Sequence, residues 1–258
     1  MLGDRVLGRL GEFPCIDRYL RHLLEERLAL PNAQWSPLVR IFTDQESSPE
    51  PLESLLRQVD TIPRFAQIFE VSLGAEPYPD EKINDILAEV RALHHLVYKR
   101  SFDNVTVVPR SQGKTVDVTA TTCNMAFAIE VKHPRGPEWK DHKEVGRTGA
   151  YLLDQGDKVI EVIRRQVGDA LRQIAEFRSD HAERDYQGVV LVVNTREDWS
   201  YYYREHVEKA AQRVIEDPPQ GVVLIAVATI DFVDYDGQTY YHPNESWRHR
   251  HTVDIWPL

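Results

Sequence analysis

The stretch Thr115–Lys132, TVDVTATTCNMAFAIEVK, carries an aspartate near its start and a Glu-x-Lys pair at its end: Asp117, Glu130 and Lys132. It reads as two strands joined by a turn. Strand side chains alternate between faces, so Glu130 and Lys132 point the same way, roughly 6–7 Å apart along the strand, and Thr115, Asp117 and Thr119 likewise share a face. Two carboxylates and a lysine on one side of a sheet suit phosphodiester hydrolysis. That reaction needs an activated water, neutralised charge at phosphorus and a stabilised leaving oxygen, and one or two Mg²⁺ (or Mn²⁺) ions can supply all three. Mg²⁺ is held by one or two carboxylates, with water and substrate oxygens completing its octahedron. Asp117 and Glu130 would be those carboxylates, and the carbonyl of Val131 a further ligand. Lys132 would orient water or offset developing charge.

Elements that would position these residues are legible on both sides. Asp80 to Arg100 predicts a helix, with Ile83, Ile86, Leu87, Val90, Leu93 and Val97 as its apolar stripe and Asp80 placed to cap it after Pro77 and Pro79. Glu89 lies on the flank of that stripe, where a carboxylate either looks into a site at the sheet edge or stands in solvent as a border residue. Strands are expected at Val105–Val108, Thr115–Thr121 and Met125–Val131, an antiparallel meander with turns at Ser111–Gly113 and Cys123–Asn124. Phe127, Ile129 and Val131 continue an apolar face begun by Met125, while Ala126 and Ala128 leave room on the other face beside Glu130 and Lys132. The polar, Gly- and Pro-containing run His133–Tyr151 is long for a connector and suited to contacting substrate. Asp157–Phe177 returns to helical period, with Arg164, Arg165, Gln166, Arg172 and Gln173 on its polar side. Gly188–Asn194 and Val222–Val233 are continuous apolar runs of the kind buried on both faces, with a helix between them at Tyr201–Glu216 and a hairpin at Asp236-Gly237. Upstream, Ile16–Leu30 has a helical stripe, and Pro51–Leu73 holds one or two short helices broken near Pro63. The expected organisation is an N-terminal helical extension over residues 1–76 and an α/β domain over residues 77–258.

The chain thus has Val116-Asp117, twelve residues, then Glu130-Val131-Lys132, with the Glu89 helix before and a helix and buried strand after. In this it resembles the PD-(D/E)XK nuclease superfamily, the restriction-endonuclease-like proteins. The resemblance implies an αβββαβ core with a mixed sheet. It implies that Asp117 and Glu130 bind metal, that Lys132 is catalytic, that Glu89 matches the helix glutamate of some members, and that Gln166 matches loosely a glutamine some place near the site. Val116 stands where the motif has proline, and Ala170, four residues after Gln166, stands where one subgroup has tyrosine. The implied activity is that of a Mg²⁺- or Mn²⁺-dependent endonuclease, with DNA ahead of RNA as substrate.

Bulk properties bound these readings. Hydrophobic residues make up 42% and charged residues 28%, ordinary for a soluble globular protein. No apolar run is long enough for a bilayer, and MLGDRVLGRLGEFP has no signal-peptide core, so a cytoplasmic protein without a membrane partner is expected. Cys15 and Cys123 form no CxxC, which argues against a disulfide framework or a thiolate zinc site. There is no phosphate-binding GxxxxGK[ST], no GxGxxG and no GxSxG. The net charge of −10 is not that of a generic nucleic-acid coat protein, but it is unevenly spread. Ile41–Val90 holds eleven acidic and three basic residues, whereas Arg91–Lys114 holds five basic and one acidic. Arg91, Lys99, Arg100, Arg110 and Lys114 could therefore grip a phosphate backbone locally, although both stretches read equally well as solvated faces. The rival reading is a catalytically weak or inactive module of the same fold that docks a partner protein through its acidic N-terminal half. A structural α/β domain without nuclease chemistry is a third, and a homodimer is open in each case.

Overall fold

The computed structural model describes residues 2–44, 48–74, 79–99, 102–110, 115–122, 125–133, 156–193 and 224–226. It is an α/β protein in which N-terminal helices pack beside a mixed sheet, with a long helix on the sheet's other face. Helices α1 (Leu2–Leu7), α2 (Pro14–Ala29), α3 (Pro37–Thr43) and α4 (Glu50–Val59) come first, then α5 (Pro79–His94), which runs on into a π-helical turn at His95–Lys99. Proline opens α2 and α3 and stands second in α4, positions in the first turn where a missing N–H costs nothing. Phe13 offers α2 no side-chain cap. Buried Glu53 of α4 substitutes for it, accepting the N–H groups of Cys15 and Ile16 at 2.9 Å each. Burial works to raise the Glu53 pKa, but these two donors and Arg57 outweigh it and hold the carboxyl below its usual value.

Asp80 corrects the capping expectation. It lies inside the first turn of α5, and its carboxylate takes Arg27 from both Nε and Nη2 at 2.9 Å and the Ser36 hydroxyl at 2.5 Å. A fork-shaped guanidinium on a carboxylate is a strong, directional pair. It ties the start of α5 to α2 and to the chain before α3.

The sheet has the order β1-β2-β3-β4-β5, with β1 (Asp103–Val107), β2 (Val118–Thr122), β3 (Met125–Lys132), β4 (Tyr186–Val192) and a three-residue β5 (Leu224–Ala226). β1, β2 and β3 pair antiparallel, and β3, β4 and β5 pair parallel. The crossover from β3 to β4 contains α6 (Gly156–Asp180). β2 starts at Val118, so Asp117 stands at the bend leading into the strand instead of inside it. The expected turns between strands, the His133–Tyr151 run beyond His133, the Tyr201–Glu216 helix, the Asp236-Gly237 hairpin and most of Val222–Val233 lie outside the described residues.

Alternation along β3 divides the core. Phe127, Ile129 and Val131 join Ile83, Ile86 and Leu93 of α5 in one apolar cluster that continues to Leu20, Leu24 and Leu56 of the N-terminal helices. Ala126, Ala128 and Glu130 face the other way, toward α6. The small residues seat that helix, which occupies the room expected beside Glu130 and Lys132. Gly188 of β4 lies opposite Ala128, and a Cβ there would come within 2.9 Å of Ile174 Cγ2 on α6. Ile174 is branched at Cβ and cannot swing away easily. Gly188→Ala is therefore expected to destabilise the fold by about 1–3 kcal/mol, as overpacking does. Denaturant unfolding would measure this, and wild-type stability would mean that α6 does not press on β4. Among the described residues no helix is long and apolar enough to cross a membrane.

Candidate active site

The register of β2 on β3 sets Val118 opposite Ile129, and one step further brings Asp117 toward Glu130. The Asp117 carbonyl still accepts the Val108 N–H at 2.9 Å, while Asp117 Oδ2 accepts the Val131 N–H at 2.8 Å. A side chain thereby replaces a backbone acceptor at the end of the ladder, and the aspartate is pinned beside the Glu-x-Lys pair. Glu130 is 2% exposed. Its Oε1 accepts a hydrogen bond from Lys132 Nζ at 2.5 Å, and its Oε2 is buried without a hydrogen-bond partner. Lys132 Nζ also donates to Gln173 Oε1 of α6 at 2.6 Å.

Burial dominates the electrostatics. It pushes the Glu130 carboxyl up to about 8, reinforced by the neighbouring Asp117 charge and opposed by Lys132. Asp117 is raised for the same first reason, although the Val131 N–H, Lys132 and Arg110 pull it down. Glu89, on α5, is buried and raised well above the usual glutamate value by desolvation and then by the Asp117 charge, with Arg110 opposing. Arg110, on the segment after β1, hydrogen-bonds Glu89 Oε1. One turn before Glu89, Asp85 Oδ1 lies 3.3 Å from Nδ1 of buried His133.

These groups line one cavity of ≈ 630 Å³ between α5, the ends of β2 and β3, and α6. Asp85, Glu89, Asp117, Glu130 and Asp169 face it together with Lys82, Arg110, Lys132 and Arg172. Val131 and Gln166 line it too, with Gln166 Nε2 donating to the His133 carbonyl at 2.8 Å. The structure therefore brings Asp117, Glu130, Lys132, Glu89, Gln166, Val131 and Arg110 to one place. The basic residues divide otherwise. Arg91 is buried at 6% exposure, which corrects its expected place on a backbone-gripping surface. The apolar stripe of α5 is wide enough to carry it into the interior. Lys99 ends the π-helical turn, and Arg100 and Lys114 lie outside the described residues.

Three residues at the site escape sequence reasoning. Gln173, not Gln166, meets the lysine. It lies two helical turns beyond Gln166 on the same face, and only the register of α6 against β3 chooses between them. Asp85 was reachable, since it precedes Glu89 by four residues on one helix. His133 follows directly on Lys132, but nothing in its neighbours signals burial.

The donor set suits a hard divalent cation. Glu130 Oε2 is an orphaned, buried carboxylate oxygen, and desolvated carboxyls crowd around it. Among the described residues no group of three or more His, Cys, Asp or Glu side chains is arranged to hold a metal ion. Two carboxylates with water and substrate oxygens are within the ordinary habit of Mg²⁺, which seldom uses an all-protein cage. Comparison of the chain with protein-family models, curated proteins and solved structures finds no match.

Proposed function

We propose that this protein is a divalent-metal-dependent nuclease with a restriction-endonuclease-like core, cleaving phosphodiester bonds of DNA. The observation that carries the reading is the buried Glu130 carboxyl set beside Asp117 and Lys132 in an open cavity. The order helix, three antiparallel strands, helix, parallel strand around it supports the same reading. Asp117 and Glu130 would hold the ion. The chemistry a bound Mg²⁺ or Mn²⁺ supplies is polarisation of the phosphodiester and a lowered pKa for water.

The chain's own residues do the rest. Val131 N–H fixes the rotamer of Asp117, so the carboxylate is aimed before any ligand arrives. Gln173 holds the Lys132 ammonium at the cavity wall, where it can offset charge building on the phosphate. Arg110, with its side chain 42% exposed, is placed to meet a backbone phosphate.

Incubation of purified protein with plasmid, linear and single-stranded DNA and with RNA tests the proposal, using Mg²⁺, Mn²⁺ or EDTA. DNA cleavage that needs the metal and is abolished by Asp117→Ala is the expected result. Cleavage that survives this substitution would place the activity elsewhere. Metal binding without cleavage of any substrate would turn the reading toward a binding module.

A further inference from the structure

We infer that the outward face of α6 is a seat for a DNA backbone, with Arg164, Arg165 and Arg172 holding phosphates around Gly168 and leading the strand into the cavity. This rests on the nuclease reading of that cavity. The apolar side of α6, with Val167, Ala170, Ile174 and Phe177, is buried against the sheet. The helical repeat therefore turns Arg164, Arg165, Gly168 and Arg172 outward together, and all four are exposed. Arg172 also lines the cavity, so the face and the site are continuous. Gln166 bonds the carbonyl of His133, which places the turn of Arg164 and Arg165 just past the end of β3. From there to Arg172 the helix rises about 10 Å. Arg172 pairs with Asp169, whereas Arg164 and Arg165 make no ion pair among the described residues. Exposed Glu161 and Glu176 stand one turn beyond at either end, which confines the positive stretch to the cavity's edge. Gly168 is an independent sign. A glycine inside a helix costs stability relative to alanine. Its φ is not left-handed, and a Cβ there would meet no described atom within 4 Å, so neither conformation nor packing calls for it. What it does allow is close approach of another chain to the bare helix. Guanidinium forks around such a spot complement phosphate oxygens.

Fluorescence anisotropy with a short labelled DNA duplex, in EDTA and across a series of salt concentrations, tests this apart from catalysis. Each variant is first shown by circular dichroism to be folded. Arg164→Gln, Arg165→Gln and Arg172→Gln combined are expected to weaken binding about 10- to 100-fold at low salt and to make the slope of log K against log[salt] shallower by about 2 to 3. Arg5→Gln, Arg18→Gln and Arg21→Gln combined, at exposed positions of α1 and α2 across the sheet, remove the same charge and are expected to leave binding at the wild-type level. Gly168→Gln changes no charge and improves helix propensity. It is expected to melt at or above the wild-type temperature yet bind about 5- to 20-fold more weakly, the scale of one charge-assisted hydrogen bond lost. Equal losses in the two triple variants would mean general attraction between charges and overturn the seat, as would wild-type affinity in Gly168→Gln. An RNA duplex of the same sequence bound more tightly than the DNA overturns DNA as the occupant. The nuclease reading fails separately. Wild type that binds through α6 in EDTA but cuts no nucleic acid with Mg²⁺ or Mn²⁺ keeps the seat and loses the metal chemistry. Metal-dependent cleavage with binding indifferent to the α6 arginines does the reverse.

Discussion

Glu130→Gln is expected to reduce metal-dependent cleavage by about 10³-fold or more while making the metal-free protein more stable at pH 8. The first effect follows from losing one of the two carboxylates that would hold the ion. The second follows from linkage. The folded state keeps the Glu130 proton to about pH 8, whereas the unfolded chain releases it near 4.5. Between these values the folded state binds more protons, so stability falls as pH rises through that window. The slope is about 1.4 kcal/mol per pH unit at its steepest. Glu89 and Asp117 are raised as well and act in the same direction. Glu53 is shifted downward and exerts its opposite effect at lower pH. A neutral glutamine imitates the protonated carboxyl, so the variant should melt like wild type near pH 5 and several degrees higher near pH 8. Added Mg²⁺ should stabilise wild type at pH 8 by mass action and leave Glu130→Gln largely unmoved. Thermal melts of both proteins across pH, with Mg²⁺ and with EDTA, give the comparison. Parallel pH profiles would mean that Glu130 ionises normally and that the site carries no stored electrostatic strain.

Lys132→Ala carries the second large effect, a loss of about 10²- to 10⁴-fold in turnover at saturating metal, the usual scale for a positioned polar group at the reacting centre. Mn²⁺ affinity should hold or improve, because a positive charge 2.5 Å from Glu130 is removed. Gln173 acts through the lysine. Gln173→Ala frees the Nζ group from α6 and should lower turnover by about 10- to 100-fold, the range for partners that orient a working side chain. Substrate KM and Mn²⁺ affinity should change little. Gln173→Glu, which keeps an acceptor at the same length, should restore part of the rate. Single-turnover kinetics on the three variants decide the matter. Full activity in Gln173→Ala would show that β3 alone orients Lys132.

Local pattern made much of this molecule readable. Alternation along Met125–Lys132 places Glu130 on the face opposite Phe127, Ile129 and Val131, and the pairing of β2 with β3 keeps that relation. The stripe from Ile83 to Leu93 predicts a helix with Glu89 on its flank, and α5 is that helix. Such features depend on neighbours within a few positions, where backbone periodicity dictates direction. Boundaries read less well. Asp117 falls just outside its strand because its side chain, not its backbone alone, finishes the ladder.

The sequence by itself therefore determined the parts: an α/β chain, a helix before a three-strand meander, and an Asp, Glu and Lys set that alternation aims to one side. Tertiary structure decided what those parts meet. Glu53 caps α2 across a separation of 37 to 38 residues, Gln173 rather than Gln166 reaches Lys132, and Arg110 covers Glu89. Each pairing is set by how one element lies across another. Desolvation has the same origin, since a carboxyl rises to about pH 8 only when several elements close around it together.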